Sequence, residues 1–133
     1  MGLDINSEQF LIAAHKRGMP FDDVLMIGRQ DLNVYPVKMR RVLTRAGLPD
    51  ELFSPDAPDA PDTRFAELVF KSLGARNIAS LDASAFEGSK FVHNLNQPVG
   101  NEFKQRFDLV YDGGTHEHVF NFPVASRANF LFP

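Results

Sequence analysis

The sequence predicts an α/β fold, a mostly parallel sheet with flanking helices, and three observations predict it. The runs "DVLMIG" and "FDLVYD" are nearly continuous in apolar residues rather than alternating, as strands buried on both faces are. Helical segments long enough to be crossovers stand early in the chain, between the first such run and the next. These runs, and "NIASLD" between them, end in a glycine or an acid, Gly28, Asp82 and Asp112, at the ends where parallel sheets place their ligands. With 133 residues, 44% of them apolar, the chain has enough material for one domain with a real core, 1–133.

Each element has its own local reason. "NSEQFLIAAHKRG" reads as a helix capped by Asn6 or Ser7 and closed by Gly18, with Phe10, Leu11 and Ala14 as its apolar stripe. "DVLMIG" is the first buried strand. Pro36 opens a second helix, "PVKMRRVLTRAG", with Val37, Val42, Leu43 and Ala46 inward and Gly47 as its stop. Ser54–Thr63 repeats Pro-Asp-Ala without large apolar groups, and reads as a mobile surface loop. Asp62 or Thr63 caps a third helix, "RFAELVFKSLG", which turns Phe65, Leu68, Val69 and Phe70 inward. Three strands then follow closely: "NIASLD", "KFVHNLN" (stopped by Pro98) and "FDLVYD". The connection Ala83–Ser89 is too short for a crossover helix. Either it is a cramped turn or the two strands beside it are not a standard parallel pair.

Composition narrows the function classes. The chain has no cysteine, which removes disulfides, thiolate metal sites and cysteine nucleophiles from consideration. Net charge is −3, and Lys38, Arg40, Arg41 and Arg45 read as a solvated helix face rather than a nucleic-acid patch. No apolar run approaches a membrane span and the N-terminus lacks a basic leader. The expectation is a soluble, cytoplasmic protein that engages neither nucleic acid nor membrane.

The residues gathered at the strand ends are Gly28, Arg29 and Gln30, then Asp82, Asn94 to Asn96, and Asp112 with Gly113 and Gly114. A glycine lets backbone approach a ligand, an acid accepts from a pair of ribose hydroxyls, and Asn amides can read an adenine edge. The bland readings are a turn glycine and a turn-capping acid. Residues 107–123, "FDLVYDGGTHEHVFNFP", leave two readings open. They are a hairpin turning at Asp112-Gly113-Gly114, or a buried strand, a glycine bend and the start of a helix. On a strand, His116 and His118 would point the same way and could hold a metal. Asn121 and Phe122 stand where a glutamate ligand would complete a cupin-type set. No metal is expected.

"FDLVYDGGTHEHVFNFP", with "VLMIGRQ", "SLDASAFEG" and "FVHNLNQPV" in order before it, resembles the class I S-adenosylmethionine-dependent methyltransferases. More narrowly it looks like a bacterial methyltransferase-like group with a "DGGTLEHVFN" signature. The resemblance spans roughly Asp22 to Asn129 and implies strand, bend, helix for the open segment. It implies a partial Rossmann-like methyltransferase sheet made of the front strands. It also implies S-adenosylmethionine as cofactor and methyl transfer to an acceptor of small-molecule or glycan type. Gly28, with Arg29 and Gln30, matches the cofactor loop. Asp82 matches the ribose-holding acid, and Asn94 and Asn96 the adenine-contacting segment. Asp112, Glu117 and His118 fall where the active-site floor meets the substrate, with Asp112 or His118 as general base and Glu117 toward the acceptor.

The chain departs from the group in three ways. The G-x-G-x-G loop is reduced to Gly28, His116 replaces a leucine, and the sequence stops at Pro133 before the group's last three strands. An incomplete domain is therefore expected, with "FDLVY" as an exposed sheet edge that pairs with a second copy or a partner chain. The alternatives to a methyltransferase are a non-catalytic interaction domain that keeps the fold, and a metal-binding β-module built on His116 and His118.

Overall fold

The computed structural model describes residues 2–56 and 64–131, with side chains as far as Arg127. Its centre is β2 (Asp23–Ile27). Val24, Leu25, Met26 and Ile27 are all buried, so this strand is covered on both faces, as its continuous apolar run predicts. It pairs in parallel with β4 (Asn77–Asp82) on one side and β6 (Leu109–Asp112) on the other. The two-residue β5 (Phe91–Val92) pairs with the outer side of β4, which gives a four-stranded sheet in the order β5-β4-β2-β6. All the pairings are parallel, an arrangement compatible with part of a Rossmann-like sheet.

Alternate residues of β2 feed two cores. Val24 and Met26 join Leu11, Ile12, Met39, Leu43, Leu68, Val69 and Phe70 on one face. Those residues come from α1 (Ile5–Lys16), α2 (Pro36–Ala46) and α3 (Glu67–Ser72). Leu25 and Ile27 join Leu81, Leu95, Phe103, Phe107 and Ala125 on the other, where irregular chain and α4 (Phe122–Leu131) form the cover. Full burial of each large side chain contributes roughly 1.5–3 kcal/mol. The sheet between two apolar layers is therefore the main source of stability.

Several element boundaries differ from the sequence reading. The first helix is capped by Asp4, whose Oδ1 accepts from the Ser7 amide at 2.8 Å, and not by Asn6 or Ser7. The buried stripe of this helix is Glu8, Leu11 and Ile12, and Phe10, expected inward, is 73% exposed. In α2 the buried residues are Met39 and Leu43, while Val37 faces solvent. Gly47 ends α2 in the left-handed region at φ 72°, where glycine has no Cβ penalty.

The third helix begins at Glu67, because Phe65 forms an isolated antiparallel bridge with Asp31. Its expected caps Asp62 and Thr63, and most of the Pro-Asp loop, lie outside the described residues. The strand expected over "KFVHNLN" stops after Val92, since Asn94 Oδ1 accepts from the Asn96 amide and turns the chain. Residues 83–90 hold no helix, yet β4 and β5 are parallel, so the connection is the cramped turn. One pairing went unforeseen: β1 (Gly2–Leu3) runs parallel to β3 (Asp31–Leu32), and strands of two residues carry no readable period.

Candidate functional site

The strand order reverses beside β2. From β2 the chain moves outward through β4 to β5, then returns to place β6 on the opposite side. In open parallel sheets the ligand crevice lies at such a reversal, beyond the carboxyl ends of the strands. Here those ends are Gly28 and Asp112, since Ile27 and Asp112 are register partners.

Residues 107–123 form strand, bend and helix, not a hairpin. β6 ends at Asp112, a short 3-10 turn covers His116–His118, and α4 follows. The Asp112 carboxylate builds this bend. Its Oδ1 accepts from the amides of Gly114 (3.0 Å) and Thr115 (2.7 Å). Its Oδ2 accepts from the His116 amide at 3.1 Å and also lies against His116 Nδ1. The other ring nitrogen of His116 meets the Ala125 carbonyl at 3.0 Å, so this buried ring ties the bend to α4. Charge-assisted bonds of this kind are among the stronger ones in a fold, and they fill the lone-pair positions that a general base would need.

Gly28 sits at φ +72°, and a Cβ there would stand 2.6 Å from Thr115 Oγ1. That hydroxyl donates to the Ile27 carbonyl at 2.7 Å. Gln30 is fully buried, and its Nε2 donates to the carbonyls of Ile27 (2.6 Å) and Gly28 (3.2 Å). Thr115 thus ties the end of β2 to the bend after β6, while Gln30 braces the same Ile27 carbonyl from within its own segment. Arg29 is engaged elsewhere. It donates to Glu67 Oε1 at 2.6 Å and to the Glu87 carbonyl at 2.8 Å, and its guanidinium lies 3.8 Å over the Phe65 ring.

Asp82 is half-buried at the end of β4. One carboxylate oxygen accepts from the Ala83 amide at 2.6 Å, and among the described residues the other carries no hydrogen bond. Asn94 and Asn96 bond to each other, and Asn96 also accepts from the Asn121 amide at 2.8 Å. Glu117 and His118 project into solvent as a pair 3.4 Å apart, both more than two-thirds exposed. With His116 buried and His118 exposed on a 3-10 turn, the common strand face of the metal reading is not formed. No metal-holding cluster of side chains occurs among the described residues.

The structure therefore gathers Gly28, Gln30 and Asp112 into one seam, with Arg29 reaching over toward the turn after Asp82. It leaves Glu117 and His118 outside. Thr115 was missed by sequence reasoning. The signal was present, because an aspartate three and four residues before Thr115 and His116 is the spacing of a side-chain cap.

A cleft of about 520 Å³ opens beside the seam, lined by Gly2, Asp4, Asn6, Ser7, Phe10, Asn33, Tyr111, Asp112 and Gly113. The Tyr111 phenol is pushed above its ordinary pKa, first by burial and then by the charges of Asp4 and Asp112, against a lowering hydrogen bond from Ser7. The Asp4 carboxyl is held below its ordinary value, chiefly by the Ser7 amide.

An S-adenosyl cofactor needs an acid for its ribose and an open glycine turn. The free oxygen of Asp82 fits the first need. The Gly28 turn fits less well, because Thr115 and Gln30 already occupy the space beside it. No protein-family model, curated protein or solved structure matches the chain.

Proposed function

We propose that this is a soluble, cytoplasmic, methyltransferase-like domain that takes S-adenosylmethionine at the carboxyl ends of β2 and β4. What supports the reading is the sequence resemblance over "DGGTHEHVFN", joined to a parallel order that reverses beside β2. The observation that carries it is Asp82, an acid at a strand end with one carboxylate oxygen unused. The cofactor would supply an activated methyl group; the protein would hold and orient both partners. Asp82 holds the ribose hydroxyls. Asp112 shapes the bend and positions the turn that carries Glu117 and His118. His118, exposed and paired with Glu117, is the side chain free to take a proton from a small-molecule or glycan-type acceptor.

A second reading, a non-catalytic domain that keeps this fold, is favoured by one feature. Thr115 and Gln30 close the turn at Gly28 that a cofactor would approach. Calorimetric titration with S-adenosylhomocysteine separates the two. Under the first reading the wild type binds, and Asp82→Ala binds about tenfold to a hundredfold more weakly, the loss of a charged acceptor. Binding by neither protein leaves the non-catalytic domain standing. Equal binding by both removes Asp82 from the site.

A further inference from the structure

Arg29 stands one residue beyond Gly28, yet its side chain bridges two other segments. Its Nε donates to Glu67 Oε1 at the start of α3, its Nη1 donates to the Glu87 carbonyl after β4, and the guanidinium lies over the Phe65 ring. A guanidinium is planar and presents its donors as a rigid fork. The ion pair and the ring fix that fork on the α3 side, so its other arm holds the Glu87 carbonyl from a fixed point.

What this arm holds is the turn after β4. Residues 83–88 are all exposed. The turn closes on itself, with the Gly88 amide donating to the Ala85 carbonyl at 2.9 Å and the Phe86 amide to Ser84 Oγ at 3.4 Å. Among the described residues, the bond from Arg29 is the one hydrogen bond that ties this turn to a distant segment. Gly88 brings the backbone close to the fork, since a Cβ there would stand 3.6 Å from Arg29 Nη1. At its near end the turn meets Asp82, because the Ala83 amide donates to Asp82 Oδ1. A series of contacts therefore runs from α3 through Arg29, the Glu87 carbonyl and the Ala83 amide to the Asp82 carboxylate. The second oxygen of that carboxylate is the unused acceptor.

We propose that Arg29 is a positioning residue for Asp82: it fixes the turn whose first amide orients the Asp82 carboxylate, and so sets where the second oxygen points. The consequence for cofactor affinity rests on the cofactor reading above, while the positioning itself does not. Lysine cannot take this place. Its single ammonium, drawn to Glu67, leaves the Glu87 carbonyl without a donor.

The test pairs NMR with calorimetry on the full chain. In the wild type, the amides of 83–88 should show order parameters of about 0.85, and three-bond couplings should report a single Asp82 χ1 rotamer. In Arg29→Met the order parameters should fall toward about 0.6 and the Asp82 couplings should average over rotamers. Glu67→Gln keeps an acceptor for Nε and should change neither. Arg29→Lys keeps the ion pair, and should loosen the turn as methionine does; it decides the matter where Arg29→Met does not fold. Arg29→Met should bind S-adenosylhomocysteine about threefold to tenfold more weakly than wild type, the loss of one hydrogen bond. In an Asp82→Ala background it should cost nothing further, since it acts through that carboxylate. A wild type that binds no S-adenosylhomocysteine removes the cofactor reading and leaves the NMR result to decide the positioning. A wild-type turn and a single Asp82 rotamer in folded Arg29→Lys would overturn the proposal, as would equal losses from Arg29→Met with and without Asp82.

Discussion

Glu8 puts a carboxyl into the core with no hydrogen-bond partner for either oxygen among the described residues. Burial pushes its pKa up from 4.5 to about 7. The folded value is raised, so the protein is most stable where the group stays protonated in both states. Stability is then lost as pH rises from about 4.5 through 7. The rise amounts to roughly 3 kcal/mol when complete. Urea melts of wild type and Glu8→Leu between pH 4 and pH 9 test it. The variant should gain on the wild type as pH rises and hold its lead above neutrality. Parallel curves would mean that Glu8 is solvated. None of this is legible in the sequence. With Asn6 or Ser7 as cap, Glu8 reads as a solvent-facing acid in the first turn of a helix. The Asp4 side chain caps the helix two or three residues earlier, and Glu8 lies on its buried face with Leu11 and Ile12.

The joint between β2 and the bend after β6 rests on few atoms. A methyl at Gly28 meets a backbone at φ +72° and the Thr115 hydroxyl at once. Strain of that kind costs about 1–3 kcal/mol, and the crowding adds to it. Thr115→Ala loses one hydrogen bond, about 0.5–1.5 kcal/mol, but clears the space. A double-mutant cycle should therefore show Gly28→Ala costing less in the Thr115→Ala background. Strict additivity in denaturant melts would show that the two do not touch. At this scale the sequence was a fair guide where one local signal decided the matter. Pro36 and Gly47 bound α2 as their residue types require. It was a poor guide where a distant partner decided. Phe65 was claimed by Asp31 instead of the third helix, and Gly2 and Leu3 became a strand only because Asp31 and Leu32 pair with them.

Across the molecule, the parallel sheet could be read from continuous burial and strand-end acids, because both are properties of single segments. The seam could not, because Thr115 reaches the Ile27 carbonyl from 88 residues further along the chain, the same carbonyl that Gln30 bonds locally. β6 has no hydrogen-bonded neighbour on its outer side among the described residues. Phe120 at 100% and Phe86 at 93% exposure add apolar surface elsewhere. Bare strand edges recruit other chains, so self-association or a stable partner complex is expected. Light scattering over a concentration series measures it. A monomer at high concentration with slow hydrogen exchange at 109–111 would mean that this edge is protected within the chain.

The placing of β2 at the centre of the sheet also sets a schedule for synthesis. Asp23 at its start bonds to Asp108, 85 residues further along. At ribosomal rates of about 5–20 residues per second, that partner arrives roughly 4–17 s after β2 has been made. For that interval Val24 to Ile27, the most thoroughly buried run of the finished protein, has at best one flank covered. A nascent chain of this design is most exposed to misassociation while its centre waits for its last neighbour, and slow translation would lengthen that exposure.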